Sequence, residues 1–280
     1  MTRLLKLIMQ ALGRKTQMRL KVTFADGSSI QNREGEPLVR LHYKTIGAQW
    51  KTILFGHVGL FESYFDQTLE IDGDFGRAMA IGFESGFDRA QSPIVWLRNH
   101  WHELRFGNRT IARAKENARF HYALGADFYG YWLDRPLMMY TCGYWKPGTR
   151  TVEEAQRNKI DHVCRKLHIE SSDSVVDIGC GFGGFMIHAN QHYGPRVCGT
   201  NTTTEQVVWL QDQIRARGLS DQLEVRESDF REAHAQFDKV VSIGVLEHAG
   251  RDQLDSVVKA HADFLKPGGL GMLHFIGHVG

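Results

Sequence analysis

Long apolar runs are missing from this chain. Nowhere do about 18 apolar residues follow one another, so no membrane-spanning helix is predicted. Its four cysteines, Cys142, Cys164, Cys180 and Cys198, form no CxxC pair, which argues against a zinc knuckle or a thioredoxin-like site. No metal site is expected. No secretory signal with a small-residue cleavage site opens the chain, so a reduced, cytoplasmic setting is expected. An excess of one charge is also absent. A net charge of +2 gives no reason to expect nucleic acid as a partner. There is no GxxxxGKS or GxxxxGKT run, which disfavours nucleoside triphosphate hydrolysis.

What is present reads as globular. Hydrophobic residues make up 42% and charged residues 24%, the balance of a chain that buries a core. The first 21 residues carry Arg3, Lys6, Arg14, Lys15, Arg19 and Lys21 with no acid among them. At helical spacing Arg3, Lys6, Gln10 and Arg14 share one face, and Leu4, Leu5, Ile8 and Leu12 another. Such a segment suits an anionic membrane surface. It suits still better a terminal helix packed on its own domain, since most amphipathic helices cover a core.

Residues 22–87 mix β-like stretches (LKVTF, RLHYKT) with the turn pairs Asp26-Gly27 and Asp72-Gly73. A small α+β module over 1–105 is expected. From about 93 to 133 the pattern is mostly helical, and 138–148 reads as a loop closed by Pro147-Gly148. A helix is predicted over 151–167, with Glu153 and Glu154 near its positive end. Apolar strand candidates then alternate with amphipathic helices: 175–179, 196–200, 223–229, 237–247 and 269–277. That alternation predicts a parallel, doubly wound α/β sheet within 106–280.

The strongest single motif is Asp177-Ile178-Gly179-Cys180-Gly181-Phe182-Gly183-Gly184, between a strand and a helix. Glycines there allow a tight turn and close approach of a ligand to backbone. The spacing is GxGxGG rather than the GxGxxG of dinucleotide sites, and Asp177 sits inside the strand just before it. Both details favour S-adenosylmethionine (SAM) over NAD. Ligands of open α/β sheets sit at the strands' carboxyl ends, which adds Asn201 to Gln206, Asp229-Phe230 and Gly244 to His248 as candidates.

These residues resemble the cyclopropane-fatty-acid synthase family, which includes the mycolic-acid cyclopropane synthases. The likeness runs from about Gly56 onward. It rests on HYALGADFY, MMYTCGYW, EEAQRNKIDHVCRKL, VVDIGCGFGGF, FDKVVSIGVLEHAG, LKPGG and MLHFIG, in that order. The resemblance implies a Rossmann-like SAM methyltransferase sheet and methyl transfer to a double bond of an unsaturated phospholipid acyl chain. The product would be a cyclopropane or a methyl- or methylene-branched fatty acid. It places Tyr140 and Thr141 on SAM, Val175, Asp177, Gly179, Gly181 and Gly183 at its amino-acid part, Asn201 and Gln206 at its ribose, and Asp229 and Phe230 at its adenine. It also implies a bicarbonate ion as base, held by Cys142 and Ile276 through their backbones and by Glu247 and His274. Tyr140, Tyr144 and Trp145 are expected to offer π-faces to a carbocation.

Two family positions differ: Asn201 replaces a threonine, and Phe182 a tryptophan. The family's fold adds two further strands and a tyrosine beyond the point where this chain stops. A fragment, a split product, or half of a two-chain assembly is therefore expected, with a homodimer as the alternative. By the same resemblance the protein would work at the inner face of the membrane. Two other readings stay open: a methyltransferase for a small soluble molecule, and a non-catalytic SAM-binding subunit.

Overall fold

A computed structural model of the chain describes residues 2–87, 93–107, 110–122, 124–232, 235–249 and 253–277. Ala123 and Gly250, which belong to two of the motifs above, lie outside the described residues. Contacts divide the chain into two units, Met1–Arg105 and Phe106–Gly280. No described helix is long and apolar enough to cross a membrane.

The first unit is a four-stranded mixed sheet with helices. Strands β1 (Leu20–Thr23), β2 (Ser29–Gln31), β3 (Val39–Tyr43) and β4 (Leu69–Gly73) run in the order β2-β1-β3-β4. The Asp26-Gly27 pair turns β1 into β2, with the Phe24 amide donating to the Ser28 carbonyl over 2.8 Å. Alternation does the sorting: Leu20 and Val22 of β1 and Val39, Leu41 and Tyr43 of β3 point into the core. Helix α1 (Thr2–Lys15) packs Leu5 and Met9 there too. Its buried face is Leu5, Met9 and Gly13, and Leu4 stays about half exposed, so the face expected through Leu4 and Ile8 is rotated. The packing of α1 on its own unit is thus the reading the structure bears out, and its Arg and Lys side chains line the other face.

Two further helices of this unit were not delineated by the sequence pattern. Helix α2 (Ile46–Phe65) starts at Thr45, whose hydroxyl accepts from the Ala48 amide, and it kinks at Gly56. Helix α3 (Phe75–Ser85) starts at Asp74, whose carboxylate caps the Arg77 amide over 2.9 Å. Helix α4 (Pro93–Phe106) follows.

In the second unit, the short helices α5 (Ile111–Tyr122) and α6 (Gly125–Gly130) precede a long loop. Helix α7 (Val152–Lys166) then begins as its sequence requires: Thr151 caps the Glu154 amide, acids fill the first turn, and Arg165 and Lys166 the last. After it come β5 (Ser174–Ile178), α8 (Gly184–Tyr193), β6 (Arg196–Asn201), α9 (Thr204–Ala216), β7 (Leu223–Glu227), β8 (Phe237–Ile243), α10 (Leu254–Asp263) and β9 (Leu265–His274). All strand pairs are parallel, in the order β7-β6-β5-β8-β9. The predicted doubly wound sheet is therefore present. Val175, Val176 and Ile178 are fully buried in β5, and each such side chain stabilises the fold by about 1.5–3 kcal/mol.

Strand ends differ from expectation. The strand expected to reach Glu247 stops at Ile243, and Glu247 stands in a 3₁₀ turn, Leu246–His248. The Gly244 amide is instead used by the His274 carbonyl over 2.8 Å. Strand β9 begins at Leu265, four residues early, with its register shifted opposite Phe237 and Lys239.

Candidate active site

Strand order reverses beside β5, whose neighbours are β6 and β8, and a cavity of about 460 Å³ opens there at the strands' carboxyl ends. The glycine loop forms one wall. The amides of Gly179 and Cys180 both donate to the Thr200 carbonyl, at 2.9 and 3.0 Å, which pins the loop to the end of β6. Gly179 has φ +72, and a Cβ on it would stand 2.4 Å from Val245. Gly181 faces open space, with nothing within 4 Å of a Cβ built on it.

Two residues expected at the ligand do not line the cavity. Val175 lies at the start of β5, fully buried in the core, because the site forms at the opposite end of the strand. Gly183 precedes α8 with φ +77, and a Cβ there would come within 2.3 Å of Leu210. Its need for glycine is a packing need.

Another wall is the loop 138–142, which brings Tyr140, Thr141 and Cys142 to the cavity. Three buried polar side chains hold it. Asp134 accepts from the Leu137 and Met139 amides at 3.0 and 2.8 Å. From α7, Gln156 donates to the Thr141 carbonyl at 2.7 Å and Lys159 to the Thr141 hydroxyl at 2.6 Å. Sequence reading passed over all three. Their signal was the spacing of Gln156 and Lys159, one turn apart on a helix whose other buried positions are mostly apolar.

Tyr140 sits in an aromatic cluster, its ring 5.7 Å from Tyr122, 5.4 Å from Tyr129 and 5.2 Å from Trp132. Tyr122 lines the cavity beside it. Tyr144 and Trp145, the other two expected π-faces, do not: Tyr144 stacks on His162 at 5.0 Å, and Trp145 is exposed. The chain turns away after Cys142, where the Tyr144 amide bonds the Ala155 carbonyl at 2.9 Å.

Asn201 and Gln206 are buried at the cavity's far side. The Asn201 amide donates to the Gly181 carbonyl and to Gln206 Oε1, while its oxygen accepts from the Thr203 amide. Asn201 thus clasps the loop, and Gln206 keeps its Nε2 without a protein partner among the described residues. Asp229 is less open than expected of an acceptor. Arg231 grips its carboxylate at 2.6 and 2.8 Å and lies over the Phe230 ring at 5.1 Å.

Cys142, Glu247, His274 and Ile276 all line the same cavity, although more than 130 residues separate the first from the last. His274 Nδ1 is buried with no hydrogen-bond partner among the described residues. Burial holds the His274 imidazole below its ordinary value, and the nearby Lys159 charge adds to that. Asp177 lines the cavity floor, and burial pushes its carboxyl up to about 8 against the pull of Lys159. Lys159 itself is pushed down to about 8 by burial, opposed by Asp134, Cys142 and Asp177.

The model of a family described as mycolic acid cyclopropane synthetase matches residues 109–279. The chain belongs to this family. It is 33% identical over 220 residues to a probable fatty acid methyltransferase of Pseudomonas putida, covering 76% of this chain and 53% of that one. It is 32% identical over 225 residues to the cyclopropane-fatty-acyl-phospholipid synthase of Escherichia coli K12, covering 79% and 56%. The chain thus spans about half the length of the curated relatives it matches. Among solved structures it resembles the mycolic acid cyclopropane synthase CmaA1 complexed with SAH and CTAB, with TM-score 0.54 and 29% identity over 57% of this chain and 55% of that one. The second unit accordingly has the α/β fold of the SAM methyltransferases in this cyclopropane synthetase family.

Proposed function

We propose that the cavity binds SAM and that the protein methylates a double bond of an unsaturated phospholipid acyl chain at the inner, cytoplasmic face of a membrane. The product would be a cyclopropane or a methyl- or methylene-branched fatty acid. The observation that carries this reading is the convergence of Cys142, Glu247, His274 and Ile276 on the cavity walled by the glycine loop. The names of the Pseudomonas putida and Escherichia coli relatives, and the SAH held by CmaA1, support it.

The residues fit the nucleoside. Gly181 leaves room at the loop, Gln206 Nε2 is available for a ribose hydroxyl, and Phe230 offers a ring to adenine. When bound, SAM would supply an electrophilic methyl group. An alkene that takes the methyl becomes a carbocation, for which Tyr122 and Tyr140 provide π-faces. The residues also fit a small oxyanion such as bicarbonate. The orphaned Nδ1 of His274, with Glu247 and the backbones of Cys142 and Ile276, would hold it as the proton acceptor that ring closure needs. A homodimer or a second chain completing the lipid pocket belongs to the same proposal.

The test is incubation with SAM and vesicles of unsaturated phospholipid, read by fatty-acid mass. A gain of one CH2 is expected for a ring or methylene branch, and two further hydrogens for a methyl branch, which forms only where a hydride donor such as a reduced nicotinamide or flavin is added to quench the cation. Hydrogenation separates ring from methylene. SAM binding without any mass change would overturn the catalytic reading and favour a SAM-binding subunit.

A further inference from the structure

Thr141 is clamped from two sides. Its methyl lies against Gly244, where a Cβ would stand 2.5 Å from it, and its hydroxyl oxygen accepts from Lys159 Nζ at 2.6 Å. An ammonium has no lone pair, so it can only donate. The hydroxyl's own proton must therefore go elsewhere, and no acceptor for it exists among the described residues. Thr141 lines the cavity, so that is where the proton has room to point.

Lys159 is only 3% exposed, and no carboxylate lies within ion-pair distance of it among the described residues. A buried cation left without an anion is costly, and a bound anion offsets the cost. The groups that feel its charge are Asp134, Cys142, Asp177 and His274, and the last three line the cavity.

The geometry points to Lys159 as a positioning residue that, by donating to Thr141, turns that hydroxyl into a polarised donor aimed at a carboxylate-type oxyanion in the cavity. This rests on the SAM reading and deepens it. The oxyanion is either the carboxylate of the ligand's amino-acid part or a free bicarbonate, and both present the same oxygens.

Calorimetry on the whole chain separates these sources. The probes are S-adenosylhomocysteine, its truncated analogue 5′-methylthioadenosine, which lacks the amino-acid group, and bicarbonate added to the S-adenosylhomocysteine complex. The variants are Lys159→Met and Thr141→Val, each close in shape to the original and each checked by its melting curve. If the amino-acid carboxylate is the partner, either variant loses about tenfold in S-adenosylhomocysteine affinity and stays within about twofold for methylthioadenosine. The double variant then loses no more than either single one, because the two act as a unit. If bicarbonate is the partner, nucleoside affinities hold and the bicarbonate signal disappears in both variants. A further sign is that wild-type affinity for the oxyanion falls as pH rises through about 8, where Lys159 loses its charge and Asp177 gains one, and that the fall is shallower in Lys159→Met, which keeps only the Asp177 part. Equal losses for both nucleosides, additive losses, or no losses in any arm overturn the inference. Wild-type protein that binds neither nucleoside overturns the SAM reading itself.

Discussion

The Tyr122 hydroxyl lies 3.1 Å from Nε2 of His248, joining the last residue of α5 to the 3₁₀ turn that carries Glu247. Helix α5 contributes Ala114, Asn117 and Ala118 to the cavity lining and is tied to α9 by Arg119 to Glu205 at 3.0 Å. Burial pushes the Tyr122 phenol up to about 12, so it stays protonated and able to donate throughout the working range.

Tyr122→Phe removes that bond and keeps the ring. SAM affinity is expected to fall about three- to tenfold, the factor that corresponds to about 1 kcal/mol for a neutral hydrogen bond. The same bond ties the unliganded fold, so the melting temperature should fall by about 2–4 °C. Calorimetric titration at two pH values checks both parts, and the loss should be the same at each.

Gly181 and Gly183 should respond in different ways to alanine. Gly183→Ala drives a methyl into Leu210 at a residue with φ +77, and a destabilisation of about 1–3 kcal/mol is expected in urea denaturation. Gly181→Ala meets no protein atom within 4 Å, so its stability cost is confined to the backbone strain of φ +56, about 1 kcal/mol, while its place in the cavity lining should make SAM affinity suffer as well. Equal stability losses with unaltered affinity would contradict the assignment of the two glycines.

Asp177→Asn should trade affinity for stability. Burial raises the folded-state carboxyl to about 8, above its unfolded value, so ionisation favours the unfolded chain. Wild-type stability therefore declines as pH climbs from about 4 to about 8, and the variant lacks that component. Denaturation at about pH 5 and about pH 8 should show the variant's advantage growing with pH, while SAM binding weakens in it.

Asp238 predicts the reverse slope. Its carboxylate accepts from the Ser174 amide and hydroxyl at 2.9 and 2.6 Å, and from Lys266 at 2.9 Å, linking the starts of β5, β8 and β9. These bonds, Ser174 foremost, hold its carboxyl well below the ordinary range. The stability it contributes is present above its unfolded value and lost as pH falls through the folded one. Asp238→Asn should cost about 1 kcal/mol near neutrality, a figure kept small because the carboxylate is about one-third exposed. The difference from wild type should vanish in acid.

The order of elements in the second unit was legible because its cues are local. Strands buried on both faces read as apolar runs, Thr151 and the acids after it announce α7, and a glycine cluster between strand and helix marks the ligand loop. Much of the cavity lining followed from motif order. What local pattern could not separate was which glycine serves the ligand and which serves packing, since Gly183 meets Leu210 from another helix. Nor could it show that Asp229 is already gripped by Arg231, or that Tyr144 turns toward His162.

Chemistry, then, was written along the chain, whereas geometry was not. Residue types and their sequence order determined a parallel α/β sheet, a glycine-walled crevice and a set of candidate side chains. Tertiary structure alone decided that α7 sends Lys159 and Gln156 to the 138–142 loop, that α5 reaches His248, and that His274 Nδ1 ends up buried without a partner among the described residues. The physical reason is that hydrogen-bond partners and burial depend on neighbours brought together from other elements, some more than a hundred residues away, which no local periodicity encodes.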